Sequence, residues 1–259
     1  MSHPEQLGFF RAVAAANTSV VDGAAILEIG SYDVNGNIRE IFAGHRSYTG
    51  VDLVEGPNVD VVTYGHEFEA EPGSFDLAIS GECFEHDQHW QESFTNMATL
   101  VRPGGLVAFT CASWGRPEHG TTRSDRTLSP GTQHEGLDYY RNLRESDFLE
   151  AGLPLDEWFS SWKFWYLPTS MDLYFAGVRR GDAADKPTAV FPREADVAAL
   201  REIMPLTHKI ARLPLIALKR VLPHDRYQDV IRFYWLPLFR LQQKVTGGSF
   251  ERHERTAIN

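Results

Sequence analysis

The stretch Ala25-Ile26-Leu27-Glu28-Ile29-Gly30-Ser31-Tyr32-Asp33-Val34-Asn35-Gly36-Asn37 decides how this chain reads. It opens on a short apolar run of the kind that makes a strand buried on both faces, then breaks into Gly, Asp and Asn. A second apolar stretch, Tyr48-Thr49-Gly50-Val51-Asp52-Leu53, follows, and its Asp52 lies 24 positions beyond Glu28. Strand, glycine turn, helix and a strand ending in an acid is the plan of a nucleotide-binding βαβ unit, in which the acid receives a ribose hydroxyl. The details speak against a dinucleotide. Tyr32, not glycine, stands two residues after Gly30, so the close backbone approach that a pyrophosphate needs is missing. Glu28 puts a fixed negative charge just before the turn, which suits a cationic ligand and repels a phosphate.

Acid-x-Gly in this setting resembles motif I of the class I S-adenosylmethionine (SAM) methyltransferases. SAM carries a sulfonium and an ammonium and no phosphate, in agreement with the electrostatics. The resemblance implies a cofactor site built from Glu28, Gly30, Ser31, Asn35 and Gly36, from Asp52 and Leu53 after the second strand, and from Gly81 and Glu82 after the fourth. Tyr64 falls where family members often place an acid after the third strand.

The rest of the chain follows the same order. A leading helix is expected over about 5–18, strand one over 24–29, a helix over 36–43, strand two over 48–53 and a short third strand at 59–62. Gly73-Ser74 turns into the buried strand Phe75–Ser80, and a helix over 89–100 is followed by Arg102-Pro103-Gly104-Gly105 and the strand Leu106–Thr110. Pro103 is read as ending the helix, with the glycines permitting the backward turn. A helix about Ser146–Gly152 and the segments Glu157–Tyr166 and Asp172–Arg179 complete the set. The expected fold is α/β, a Rossmann-like seven-stranded methyltransferase sheet with helices on both faces, its last strand pair antiparallel. The expected division is a SAM-binding domain over 1–185 and a helical, basic, amphipathic extension over 186–259.

After the fourth strand comes Gly81-Glu82-Cys83-Phe84-Glu85-His86-Asp87. In open α/β sheets, ligands bind at the carboxyl ends of the strands. One helical turn would bring Glu82, Glu85 and His86 together, and two adjacent carboxylates repel unless they share a cation or a proton. The Glu-x-x-Glu-His string is similar to that of methyltransferases acting on ubiquinone precursors and of small-RNA 2′-O-methyltransferases. The latter resemblance implies Mg²⁺ held by Glu82, Glu85 and His86 with a later histidine, His119 or His134. A long polar loop, about 111–140, supplies both histidines and reads as a substrate lid. Transfer to a hydroxyl needs a proton acceptor, so His119 is assigned as a ligand and His134 as the base, with Glu82 the third catalytic candidate. Helix capping by Glu85-His86 is the plain alternative. Cys83 and Cys111 read as buried packing; their spacing does not suggest zinc.

Composition bounds the function. Hydrophobic residues at 42% and charged residues at 23% are ordinary for a globular protein. No apolar run reaches membrane-span length, the amino terminus has no signal-peptide pattern, and two cysteines fit a reducing compartment, so a cytoplasmic protein is expected. Residues 201–259 hold 11 Lys+Arg against 5 Asp+Glu, leaving a balance of −16 in the first 200. An acidic catalytic half is a poor partner for nucleic acid. The basic tail is open to core packing, active-site cover, dimerisation or contact with an anionic membrane.

The expected activity is Mg²⁺-assisted O-methylation of a sugar or oligosaccharide, because chelation is most useful where the acceptor presents neighbouring oxygens. The wider pattern is similar to bacterial sugar and natural-product methyltransferases, including those of mycobacterial methylmannose polysaccharides. A phenolic or quinol acceptor is the alternative, and a non-catalytic SAM-binding regulator the reading from another class.

Overall fold

The computed structural model describes residues 3–34, 36–134 and 136–246. Helices α1 (Pro4–Ala16) and α2 (Thr18–Val21) lead into strands β1 (Ala25–Ile29), β2 (Ser47–Asp52), β3 (Val61–Val62) and β4 (Phe75–Gly81). Helix α3 (Trp90–Leu100) precedes the long β5 (Val101–Ala112). Helices α4 (Pro130–His134), α5 (Glu145–Glu150) and α6 (Leu155–Trp158) precede β6 (Phe159–Leu167) and β7 (Asp172–Arg179). Helices α7 (Glu194–Ala199), α8 (Leu206–Ala211), α9 (Leu213–Val221) and α10 (His224–Thr246) follow. The strands form one seven-stranded sheet in the order β3-β2-β1-β4-β5-β7-β6. It is parallel through β5, with β7 antiparallel to β5 and β6 antiparallel to β7. This is the sheet the sequence predicted.

Alternation along the central strands divides the core in two. Ala25, Leu27 and Ile29 of β1 and Val107, Phe109 and Cys111 of β5 join the aromatic cluster of Phe94, Phe148 and Phe175 on one face. Ile26, Leu106 and Ala108 join Phe9, Phe10 and Val13 of α1 on the other. Side chains of successive strand residues point to opposite faces, so both faces are apolar and both are covered. At the amino ends of β1 and β4, buried Asp76 accepts from Arg102 Nε (2.6 Å) and from the Ala25 amide (2.9 Å).

Three local expectations are corrected. The helix over 36–43 shrinks to a single 3₁₀ turn at Arg39–Phe42. Asp33 accepts from the Gly36 amide (2.5 Å) and from Asn37 Nδ2 (3.2 Å), and such side-chain bonds compete with helix formation. Glu82–His86 forms no helical turn; Glu82 has φ +53 and a tight turn follows, closed by His86 N–H to Cys83 C=O at 2.8 Å. β5 begins at Val101, before Pro103, and α3 already stops at Leu100.

The segment after residue 186 begins inside the sheet core. Asn17 exchanges hydrogen bonds with the Val190 backbone (2.8 and 2.9 Å), and Ala189, Val197 and Leu200 belong to the α1-side cluster. Further on, Tyr227 and Ile231 of α10 bury against Met171 and Leu215. Tyr227 Oη donates to the Gly115 carbonyl, and Gln228 Nε2 donates to the Arg116 carbonyl, each at 2.8 Å. The carboxyl-terminal helices thus brace the loop after β5. Among the described residues no helix is long and apolar enough to cross a membrane.

Candidate active site

At the carboxyl ends of β1, β2 and β4 lies a cleft of about 870 Å³, counted out to open solvent. Of the residues expected in the cofactor site, Glu28, Gly30, Ser31, Gly36, Asp52, Leu53, Gly81 and Glu82 line this cleft. Asn35 lies outside the described residues. Tyr64 does not line the cleft; its ring packs near His66 and His89, and Thr63 takes the lining position. Gly30 has φ +80, and a Cβ there would stand 2.5 Å from that of Cys83, so both conformation and space demand glycine.

The two acids of the βαβ unit are set differently. Each Asp52 oxygen accepts a backbone amide, from Tyr32 (3.0 Å) and Leu53 (2.7 Å), so the carboxylate also ties down the turn after β1. Glu28 is buried and accepts from Tyr48 Oη at 2.7 Å. Burial, only partly offset by Tyr48 and Arg39, raises its pKa to about 7.

The Glu-x-x-Glu-His carboxylates part company. Glu85, His86 and His119 are buried, with one potential ligand atom of each within 4.8 Å of the others. His119 Nδ1 lies 3.1 Å from the Pro117 carbonyl and His86 Nδ1 lies 3.4 Å from that of Tyr139. With Nδ1–H donating to those carbonyls, both Nε2 lone pairs are left open. Both Nε2 atoms and both Glu85 oxygens are buried without a hydrogen-bond partner among the described residues. Burial lowers the His86 pKa to about 3, and burial with neighbouring His86 and Arg116 lowers that of His119 well below normal. Both rings are neutral. Burial and the nearby Glu82 charge push the Glu85 carboxyl well up. Tyr140 closes the box, its ring 5.4 Å from that of His86 and 5.0 Å from that of His119. Gly120 (φ +72) seats the loop on it, where a Cβ would come within 2.8 Å of His86 Cε1.

Glu82 turns instead to a second group, with His3 and Asp172. Asp172 accepts from Arg116 Nη1 (3.0 Å) and pairs with His3 Nε2 (3.0 Å); Glu82 Oε2 lies 3.7 Å from His3 and 3.9 Å from Arg116. Burial opposes the His3 charge, yet Asp172, Glu5 and Glu82 raise its pKa well above normal. An imidazolium and a guanidinium thus stand beside the two carboxylates, although neither Glu82 oxygen makes a hydrogen bond among the described residues. The first group, one carboxylate and two neutral imidazoles, is the one with the donor chemistry of a cation site.

His134, predicted as the base, sits exposed at the end of α4 and does not line the cleft; Pro130, Gly131 and Thr132 of that helix do. His3, Gln6 and Asp172 were missed. Gln6 lines the cleft from α1, and no motif marks it. Two further loop residues take part: Arg116 donates to Asp172, and the Tyr140 ring packs beside His86 and His119.

A family model described as a methyltransferase domain matches residues 10–174. No curated protein matches the sequence. Similar solved structures include the 1,6-didemethyltoxoflavin N1-methyltransferase of Burkholderia thailandensis, 20% identical, with a TM-score of 0.44 over 68% of this chain and 79% of that one. A SAM-dependent methyltransferase of Mesorhizobium loti is 18% identical, with a TM-score of 0.45 over 67% and 98% of the two chains. The N-methyltransferase NodS of Bradyrhizobium japonicum is 12% identical, with a TM-score of 0.43 over 68% and 86%.

Proposed function

The chain belongs to the methyltransferase-domain family and is a SAM-dependent methyltransferase, and from that premise we propose that it methylates a hydroxyl of a sugar or oligosaccharide with the help of a divalent cation. The observation that carries the reading is the buried Glu85, His86 and His119 group, its ligand atoms close together beside the cofactor cleft and without hydrogen-bond partners among the described residues. Such a donor set suits Mn²⁺ or a related transition ion at least as well as Mg²⁺. A cation bound there would supply Lewis acidity toward an acceptor oxygen and favour acceptors with two neighbouring oxygens. The chain's own residues do the rest. Pro117 and Tyr139 carbonyls hold the imidazoles in register, and the Tyr140 ring packs beside both. Glu82, just after β4, places its carboxyl group on the cleft wall. His119 is a ligand in this reading, and exposed His134 has no part in the chemistry.

In the cofactor site, Asp52 receives the ribose hydroxyls and Gly30 and Gly81 allow close backbone approach. Asp52→Ala is expected to weaken binding of S-adenosylhomocysteine roughly 10–100-fold, the effect of losing charge-assisted hydrogen bonds plus a braced turn. Titration calorimetry reads it, and unchanged affinity would remove Asp52 from the site. Glu28 adds a pH dependence. A cationic cofactor favours the ionised carboxylate, so with the free-enzyme pKa at about 7 SAM affinity should rise from pH 6 to 8. Below 7 the slope is at most about tenfold per pH unit. Glu28→Gln should flatten the profile; a flat wild-type profile would show that Glu28 serves only Tyr48.

A second reading has its own observation. In its ionised form the raised Glu85 carboxyl is a stronger base than an ordinary glutamate, and in that form it would take the proton of a phenol or quinol with no cation present. The deciding experiment is conversion of SAM to S-adenosylhomocysteine over a panel of sugars and phenols, with Mg²⁺, Mn²⁺ or chelator. Sugar turnover abolished by chelator supports the first reading. Chelator-insensitive phenol turnover replaces it with the second.

A further inference from the structure

We propose that α8, α9 and α10 form a docking face for an anionic lipid bilayer. Residues 206–246 hold eight Lys+Arg and two Asp+Glu, beside a first 200 residues with a balance of −16. The same segment gathers large exposed apolar side chains, among them Leu206, Ile210, Leu213, Phe233 (73% exposed) and Leu241 (59% exposed). On α10 the pattern is two-sided. Tyr227 and Ile231 turn inward and are buried, while Val230, Phe233, Pro237 and Leu241 recur at helical spacing on a different, exposed side. Exposed Arg226 and Arg240 flank that stripe, and the Arg232 guanidinium leans over the Phe233 ring at 4.9 Å. Tyr234 Oη donates to the Ala211 carbonyl (2.9 Å), which sets the junction carrying Ile210 and Leu213 beside the middle of α10.

An apolar stripe with basic flanks on a helix that cannot span a bilayer fits the interface between headgroups and acyl chains. The charge selects the occupant. A second copy docking through the same patch would bring basic residues face to face, which self-association disfavours. An anionic surface neutralises them. The proposal is independent of which acceptor the enzyme methylates.

The test uses the full chain with vesicles of phosphatidylcholine alone or with about one third phosphatidylglycerol, read by co-sedimentation at low and moderate salt. Partitioning onto the anionic vesicles should be at least about tenfold stronger and should fall with salt. A Phe233→Asp/Leu241→Asp variant should lose at least about tenfold of it while binding S-adenosylhomocysteine like wild type. Arg226→Glu/Arg240→Glu should do the same. Equal binding to both vesicle types overturns the proposal, as does a variant that sediments like wild type. Absent vesicle binding together with a stable dimer that Phe233→Asp/Leu241→Asp dissociates would assign the face to a second copy instead.

Discussion

Replacing Glu85 by glutamine is expected to abolish the response of this enzyme to divalent cations and to slow methyl transfer about 10²–10³-fold, the several kcal/mol that Lewis-acid assistance contributes. The substitution keeps the shape of the side chain and removes a carboxyl that is fully buried, without hydrogen bonds among the described residues, and repelled by Glu82. Folding should therefore not suffer, and the variant without cation should melt no lower than wild type. Wild type should gain stability with Mg²⁺ or Mn²⁺, about 2.7 kcal/mol at a hundredfold excess over Kd, whereas Glu85→Gln should gain none. Calorimetric melting with and without cation and turnover of SAM read the two effects separately. A wild-type melting temperature indifferent to both ions would sink the cation site and leave the methyltransferase assignment standing.

The second large effect lies at the opposite end of the sheet. Arg102→Met should cost about 3–5 kcal/mol, the usual penalty for stripping one partner from a buried ion pair. Asp76, Arg102 and Lys186 form a group in which Arg102 also donates to the Pro103 and Pro187 carbonyls, and so clasps the start of β5 to the returning chain. At roughly 2–4 °C per kcal/mol for a chain of this size, melting should fall by about 10 °C. Burial alone would raise the Asp76 pKa, but Arg102, the Ala25 amide and Lys186 together hold it below the ordinary carboxylate value. A depressed pKa contributes stability above the unfolded value, near 4, and that stability drains away as pH falls through the folded value. Acid should therefore destabilise wild type more than Arg102→Met in that window. Affinity of the folded variant for S-adenosylhomocysteine should not change, since the pair sits at the amino ends of the strands. Equal melting of the two proteins would show that the clasp contributes nothing.

The parts of the cleft legible in the sequence are the ones made locally. Ala25–Ile29 is a continuous apolar run between turn residues, and Gly30 follows it, so strand and turn come from adjacent residues. Asp52 ends the next such run. Glu85 and His86 are neighbours in the chain and remain neighbours in the site. The helix over 36–43 failed because Asp33 and Asn37 offer the backbone other partners, a competition that apolar spacing does not register.

By itself, the sequence determined the succession of strands along the chain, the glycine turn and the acidic and basic halves. These follow from side-chain periodicity and from charges counted along the chain, which need no knowledge of distant contacts. Only the tertiary structure decided that Glu82 and Asp172 share His3 and Arg116 while Glu85 joins His86 and His119. His3 opens α1 and Asp172 opens β7, far apart in sequence, and they meet because α1 packs across the sheet against the central strands. The physical reason is that a buried carboxylate is settled by whichever cation the packing brings to it. For Glu82 the fold brings an imidazolium and a guanidinium. For Glu85 it brings two neutral rings and, among the described residues, no cation, and burial beside Glu82 pushes its carboxyl well above the usual range.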